Sequence, residues 1–332
     1  MTINRIKTWL AVRIIRPAVL ALSKIVAAGL KKYVDGDSAY EIFSRQGFHL
    51  LRKHFYLPIP EEEDLRDGFW EKRSELVGVE MNDAGSLDLL QNVFPRYTAE
   101  FREHFPLRQT DKMEPFYLIN GMFMAVDAHV YYMFIRHFRP KRIVEIGSGY
   151  STLLAARACL GNMQDDGGSA AQLTCVEPFP MPFLRDGFPG LSQLVQKRVQ
   201  EVDMELFTAL EAGDILFIDS THVLRAGGDV QLEYCEILPR LAPGVLVHIH
   251  DISLPKPYPR IYFEEHHHYW NEQYLLQAFL AFNSRFEVLW PGNYMMEKYP
   301  ERVTGVFPEY HQMREAFPSS EPSSFWMRVR PS

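Results

Sequence analysis

Two short stretches of this chain set acids and histidines close enough together to move a proton or to hold a divalent ion. One is Asp219-Ser220-Thr221-His222 and the other is His248-Ile249-His250-Asp251. A third stretch, Glu145-Ile146-Gly147-Ser148-Gly149-Tyr150-Ser151-Thr152, puts an acid ahead of two glycines. Glycines in a turn let the backbone approach a ligand with no Cβ in the way. The acid before them suits a cationic ligand better than a polyanion. A dinucleotide fingerprint would want a third glycine where Thr152 stands, so a pyrophosphate fits this turn poorly.

The elements that must position these residues read as alternating strands and helices. The β-branched run Arg142 to Ile146 is a strand, and Leu153 to Ala158 is helical. The glycine turn between them therefore lies outside the carboxyl end of a strand, the usual ligand crevice of a doubly wound sheet. Leu173-Thr174-Cys175-Val176 is a second strand ending in Glu177, and a third is predicted at Lys197 to Val202. Asp214 to Ile218 and Gly244 to Ile249 are a fourth and a fifth, each running into one of the acid and histidine stretches. Apolar runs with polar carboxyl ends are what buried parallel strands show. Phe286 to Trp290 and Phe325 to Val329 read as two final strands. Helices are predicted over Pro115 to His137, whose aromatic and methionine stripe reads as core, over Leu87 to Phe105, and over Trp270 to Phe282. Glu264-Glu265-His266-His267-His268 reads as a solvated, substrate-facing lid, because three consecutive histidines on a loop cannot easily face one ion.

The acid-x-Gly-x-Gly turn resembles the first motif of the class I S-adenosylmethionine (SAM)-dependent methyltransferases, with Ser151 at its third small position. The ordered strands carry the resemblance over roughly Tyr117 to Arg330. It implies an α/β fold, a Rossmann-like doubly wound sheet of order 3-2-1-4-5-7-6 with its last strand antiparallel. It further implies that Glu145, Gly147, Gly149 and Ser151 hold the cofactor, that Glu177 binds its ribose hydroxyls, and that Asp203 helps to seat the adenine. In that strand order the fourth and fifth strands are neighbours, about 5 Å apart, so the two acid and histidine stretches meet in one cleft.

Methyl transfer is an in-line displacement that gains from orientation. A hydroxyl acceptor must also lose a proton, which calls for a base, a metal, or both. His250, Asp251 and His222 are the catalytic candidates, and the deeper His248 reads as a core histidine. Asp219, His250 and Asp251 resemble the positions at which metal-dependent O-methyltransferases of sugars and natural products bind magnesium. A histidine departs from an oxygen-rich set and suits manganese, iron or zinc better. A divalent metal, magnesium or manganese, and a metal-free histidine–aspartate pair are both open readings. The stretches Phe217 to His222, Val247 to Asp251 and Trp270-Asn271-Glu272-Gln273-Tyr274 also resemble bacterial methyltransferase-like proteins near the sugar O-methyltransferases and the cephalosporin-hydroxylase-type proteins. That resemblance implies a small-molecule or glycan acceptor, such as a sugar of a surface polysaccharide or glycolipid. Glu272 either profits from its helix dipole or faces the acceptor. Two further readings stand beside methyl transfer. One is an oxidative enzyme with Asp219, His222 and His250 as metal ligands; the other is a non-catalytic scaffold.

With 332 residues, 47% of them apolar, the chain can bury a sizeable core. Cys159, Cys175 and Cys235 match no disulfide or zinc pattern, which predicts reduced thiols and the cytoplasm. The first 34 residues hold seven basic side chains and no acid, leaving 28 basic against 42 acidic residues in the remainder. Nothing in that acidic body suggests nucleic acid. Three segments follow: a basic amphipathic helix over 1–34, a helical cap over 35–114, and the methyltransferase domain over 115–332. The helix is expected from Ile3 to Val34, kinked at Pro17, with Ile3, Leu10, Ile14, Val19, Leu22 and Ile25 on its apolar face. It is too short in uncharged residues to span a bilayer. It either lies on an anionic membrane, peripheral at the inner face, or packs on the protein's own body or on a partner subunit.

Overall fold

The computed structural model describes residues 11–33, 36–66, 68–110 and 115–331. The chain divides into two compact units, Met1–Asp64 and Leu65–Ser332. The division falls after Asp64, not at the boundaries 34 and 114 read from composition. The physical reason is packing: Phe94 and Phe101, from the expected cap, are buried in one apolar core with the helix Asp127–Phe138.

In the smaller unit a π-helical turn, Ala11–Ile15, leads into a helix over Arg16–Tyr33, and a short helix follows over Gly36–Ser44. Pro17 lies just past the change from π to α winding, the point at which a proline without an N–H interrupts the helix ladder. Residues 3–10 and Val34 of the expected helix lie outside the described residues. Among the described residues no helix is long and apolar enough to cross a membrane.

The larger unit is built on seven strands: β1 (Arg142–Ile146), β2 (Gln172–Val176), β3 (Gln193–Val195), β4 (Ile215–Ile218), β5 (Leu246–Ile249), β6 (Phe286–Pro291) and β7 (Phe325–Val329). Their order is β3-β2-β1-β4-β5-β7-β6, with β7 antiparallel to both neighbours and the others parallel. Strand alternation divides the interior into two layers. Ile143, Phe217 and Leu246 face the helix Asp127–Phe138, whereas Val144, Leu216, Ile218 and Val247 face the opposite core. The strand order reverses between β1 and β4, which opens a crevice beyond their carboxyl ends.

Several elements differ from the sequence-based expectation. β3 lies at 193–195 and not at 197–202; it is an edge strand only partly covered, so it carries no apolar run to mark it. The helix expected from Pro115 begins only at Asp127. Ahead of it the Asn120 side chain accepts from the N–H groups of Met122 and Phe123 and donates to the carbonyls of Tyr117 and Phe123, fixing a loop. The helix expected from Leu87 to Phe105 is broken near Pro95 into short π, 3-10 and α turns. Three helices between β6 and β7, Gly292–Lys298, Pro300–Val306 and Glu309–Ala316, were not evident in the sequence.

Candidate active site

The turn after β1 is shaped by a contact that only glycine permits. Gly147 has φ +78°, and a Cβ there would lie 1.8 Å from the carbonyl oxygen of Asp219. Its N–H donates to the Val176 carbonyl at 3.0 Å, while the Asp219 N–H donates to the Ile146 carbonyl at 2.8 Å. The ends of β1, β2 and β4 are thereby held at one level. Glu177, just past β2, accepts from the Ser148 N–H through Oε2 and from the Phe179 N–H through Oε1. A cleft of about 500 Å³ opens here, lined by Gly147, Glu177, Arg198, Gln200, Asp219 and Thr221 among others.

Four residues expected to touch a cofactor, Glu145, Gly149, Ser151 and Asp203, do not line this cleft. Glu145 is fully buried, because alternation along β1 turns it with Phe217 toward the helix Asp127–Phe138. Its Oε1 accepts from the Tyr131 hydroxyl at 2.9 Å and its Oε2 from the Thr152 hydroxyl at 2.6 Å. Thr152 Oγ1 in turn accepts from the Gly149 N–H, so Glu145 props the turn from beneath. Burial pushes its carboxyl up to about 7, against the lowering effect of these hydrogen bonds. Ser151 is buried in the first turn of the helix Tyr150–Asp166. Asp203 sits at the other end of the sheet, in a depression shared with the first residues of β1 and β2, Arg142 and Gln172, and it accepts from the Glu205 N–H. The early end of β3 is the cause: the residues it delivers to the cleft are Arg198, Val199 and Gln200.

The two acid and histidine stretches do meet. Because β5 stops at Ile249 and Asp251 adopts φ +55°, the Asp251 side chain is freed from the alternation of the strand. His222, with φ +60°, turns its ring back so that Nε2 lies 3.3 Å from Asp219 Oδ1 and 3.4 Å from Asp251 Oδ2. Its Nδ1 lies 2.8 Å from Glu272 Oε2 at the start of the helix Glu272–Leu280. The N–H groups of Asn271 and Glu272 donate to the His222 carbonyl, fixing the distance between these segments. Burial opposes a charged His222 ring, but the bonds to Asp219 and Glu272 and the charge of Asp251 outweigh it and raise its proton affinity. Glu233, buried beside Glu272, binds its proton more tightly than an ordinary carboxyl through burial and the neighbouring acids.

Asp219, His222 and Asp251 each offer one ligand atom within 4.8 Å of the others. His250 is not in that group, so the trio Asp219, His250 and Asp251 expected from sequence is replaced by one in which His222 supplies the nitrogen. His250 follows the alternation of β5 and points with His248 toward Phe123, 5.1 Å between ring centres. It lines a second cavity of about 250 Å³, with Asp127, Asp251, Tyr262, Asn293 and Ser323. His250 Nδ1 and Asn293 Oδ1 are buried there without a protein partner. His248 is fully buried and its Nε2 lies 3.0 Å from the Ser324 hydroxyl. Of the lid histidines, His266 reaches this cavity, and His268 stacks on Trp270, which covers His222. Sequence reading missed Asp127, whose buried carboxylate accepts from the N–H groups of Ser323 and Ser324. Its only signal was an acid opening an otherwise apolar helix.

A family model described as a methyltransferase domain matches residues 144–252, from β1 to just past β5. The chain is also 33% identical over 166 residues to an uncharacterized protein of Archaeoglobus fulgidus, covering 48% of this chain and 72% of that one. The domain match and the sheet order above agree on one family. The chain belongs to the class I SAM-dependent methyltransferases. Among solved structures, this methyltransferase is similar to the SAH-bound methyltransferase PaMTH1 of Podospora anserina, with TM-score 0.37, 15% identity and 73% and 89% of the two chains covered. It is also similar to an O-methyltransferase of Bacillus cereus in complex with SAH, with TM-score 0.29, 12% identity and 75% and 97% covered.

Proposed function

We propose that this methyltransferase transfers the methyl group of SAM to a hydroxyl of a small polar acceptor. The observation that carries the reading is the junction of two cavities at one cluster. Asp219 lines the larger cleft, Asp251 lines the smaller cavity, and His222 Nε2 stands within 3.4 Å of both. Donor and acceptor would then meet beside this cluster, where the two cavities adjoin.

In the larger cleft, the backbone of Gly147 would lie beside the donor's amino-acid end. Glu177 spends one lone pair of each oxygen on a backbone N–H, which leaves the others for ribose hydroxyls. Arg198, Val199 and Gln200, which line the cleft where Asp203 does not, would stand beside the adenine. In the smaller cavity, the unpartnered His250 Nδ1 would accept the proton that the acceptor hydroxyl loses as it takes the methyl group from the sulfonium, which leaves as the thioether. Asp127 and Asp251 stabilise the imidazolium so formed. Asp219, His222 and Asp251 would hold a divalent ion, and Glu272 would fix the His222 ring through Nδ1–H, as carboxylates do behind metal-bound histidines. Two carboxylates and an imidazole fit manganese better than magnesium. When bound, such an ion lowers the pKa of a hydroxyl beside it. The set has one histidine, not the two of an iron facial triad.

Incubation with methyl-labelled SAM and panels of hydroxylated, amine and carboxylate acceptors tests this reading. Label should enter hydroxyls, and His250→Ala or Asp251→Ala should lower turnover about 10²–10⁴-fold while SAM affinity is kept. Transfer to amines or carboxylates alone, or full turnover in both variants, would refute it.

A further inference from the structure

The smaller unit has a surface that methyl transfer does not use. On the helix Arg16–Tyr33, Val19, Leu22, Ile25 and Val26 are all exposed, Leu22 at 60% and Ile25 at 70%. At 3.6 residues per turn, these four lie on one side and Lys24 and Lys31 about half a turn away. No acid occurs between residues 11 and 33. A second feature stands in the same unit. Phe55 and Tyr56 are 78% and 82% exposed, with ring centres 4.4 Å apart. Arg52, in the segment leading to them, donates to the Leu30 carbonyl at the end of the helix.

We infer that residues 11–56 dock this enzyme on an anionic lipid bilayer. A helix in the headgroup region needs an apolar face to sink among the acyl chains and basic side chains to meet the phosphates. This helix has both, and aromatic rings such as Phe55 and Tyr56 favour the same boundary. Charge selects the bilayer over a second copy of the chain. Two such helices packed by their apolar faces would leave Lys24 and Lys31 outside the contact with no acid to meet, whereas an anionic leaflet attracts every basic side chain of the helix.

The test is co-sedimentation of the full chain with vesicles of phosphatidylcholine alone and of phosphatidylcholine with phosphatidylglycerol. Binding should require phosphatidylglycerol and weaken as salt is raised. Lys24→Gln with Lys31→Gln should lower the partition coefficient about 25-fold, about fivefold for each charge near the surface. Leu22→Ser with Ile25→Ser should lower it by at least about tenfold through lost burial. All four side chains are exposed, so SAM affinity should be unchanged in these variants, which separates lost docking from lost folding. Protein that stays in the supernatant at low salt overturns the inference, as does equal binding by all variants. Conversion of a dimer to a monomer by Leu22→Ser with Ile25→Ser, without vesicle binding, would assign the face to a second copy.

Discussion

Glu145→Gln should make this enzyme more stable at neutral and alkaline pH and leave it nearly unchanged in mild acid. In the folded chain burial pushes the Glu145 carboxyl from an ordinary 4.5 up to about 7, although Thr152 and Tyr131 donate to it. Between these values the unfolded chain has released the proton and the folded chain still holds it. The folded state therefore binds more protons, and its stability falls as pH rises from about 4.5 to about 7, then levels off. At ~1.4 kcal/mol per pH unit the whole loss is about 3 kcal/mol. Glutamine keeps the shape, offers one oxygen to a donor, and never ionises, so the variant should escape that loss. Urea unfolding at pH 5 and at pH 8 is the assay. The variant should match the parent at pH 5 to within about 1 kcal/mol and exceed it by about 3 kcal/mol at pH 8, or about 5 °C in Tm. A variant that keeps the parent's pH slope, or that is weaker at pH 8 than at pH 5, would refute a buried, proton-holding Glu145.

Further outcomes follow from the same geometry. Gly147→Ala forces a side chain into a left-handed backbone and against the Asp219 carbonyl, so it should destabilise by at least about 2–3 kcal/mol; an unchanged melting temperature contradicts this. Elemental analysis of protein purified without chelator should find about one divalent ion, and Glu272→Gln should weaken it about 10–100-fold by releasing the His222 ring. Metal content and turnover both indifferent to chelation would leave Asp219, His222 and Asp251 as a metal-free electrostatic cluster.

The sheet was legible wherever burial left a mark. β1, β2, β4 and β5 are covered on both faces, so each is a mostly apolar run with polar residues in or just past its carboxyl end. β3 lies at an edge and needs no such run, and its misplacement carried Asp203 to the wrong end of the sheet. Glu145 was misassigned because the motif records its place in the chain and not which face of β1 it occupies. The meeting of Asp219 with Asp251 followed from the neighbouring strands β4 and β5. His222 was read as a catalytic candidate and, in the oxidative reading, as a ligand beside Asp219, but its place between the two aspartates depends on a left-handed backbone and a bond to Glu272, fifty positions along. Local patterns of hydropathy carry neither signal. Asn120 shows the same limit: its side chain replaces a turn of helix with a loop inside an apolar sequence.

Calorimetric titration with SAM tests the central claim most directly. The intact protein should bind SAM at one site, and Glu177→Ala should weaken binding by about 1–3 kcal/mol, the scale of hydrogen bonds to a charged group. Intact, folded protein that gives no binding heat with millimolar SAM, or a Glu177→Ala variant that binds as tightly as the parent, would contradict the account.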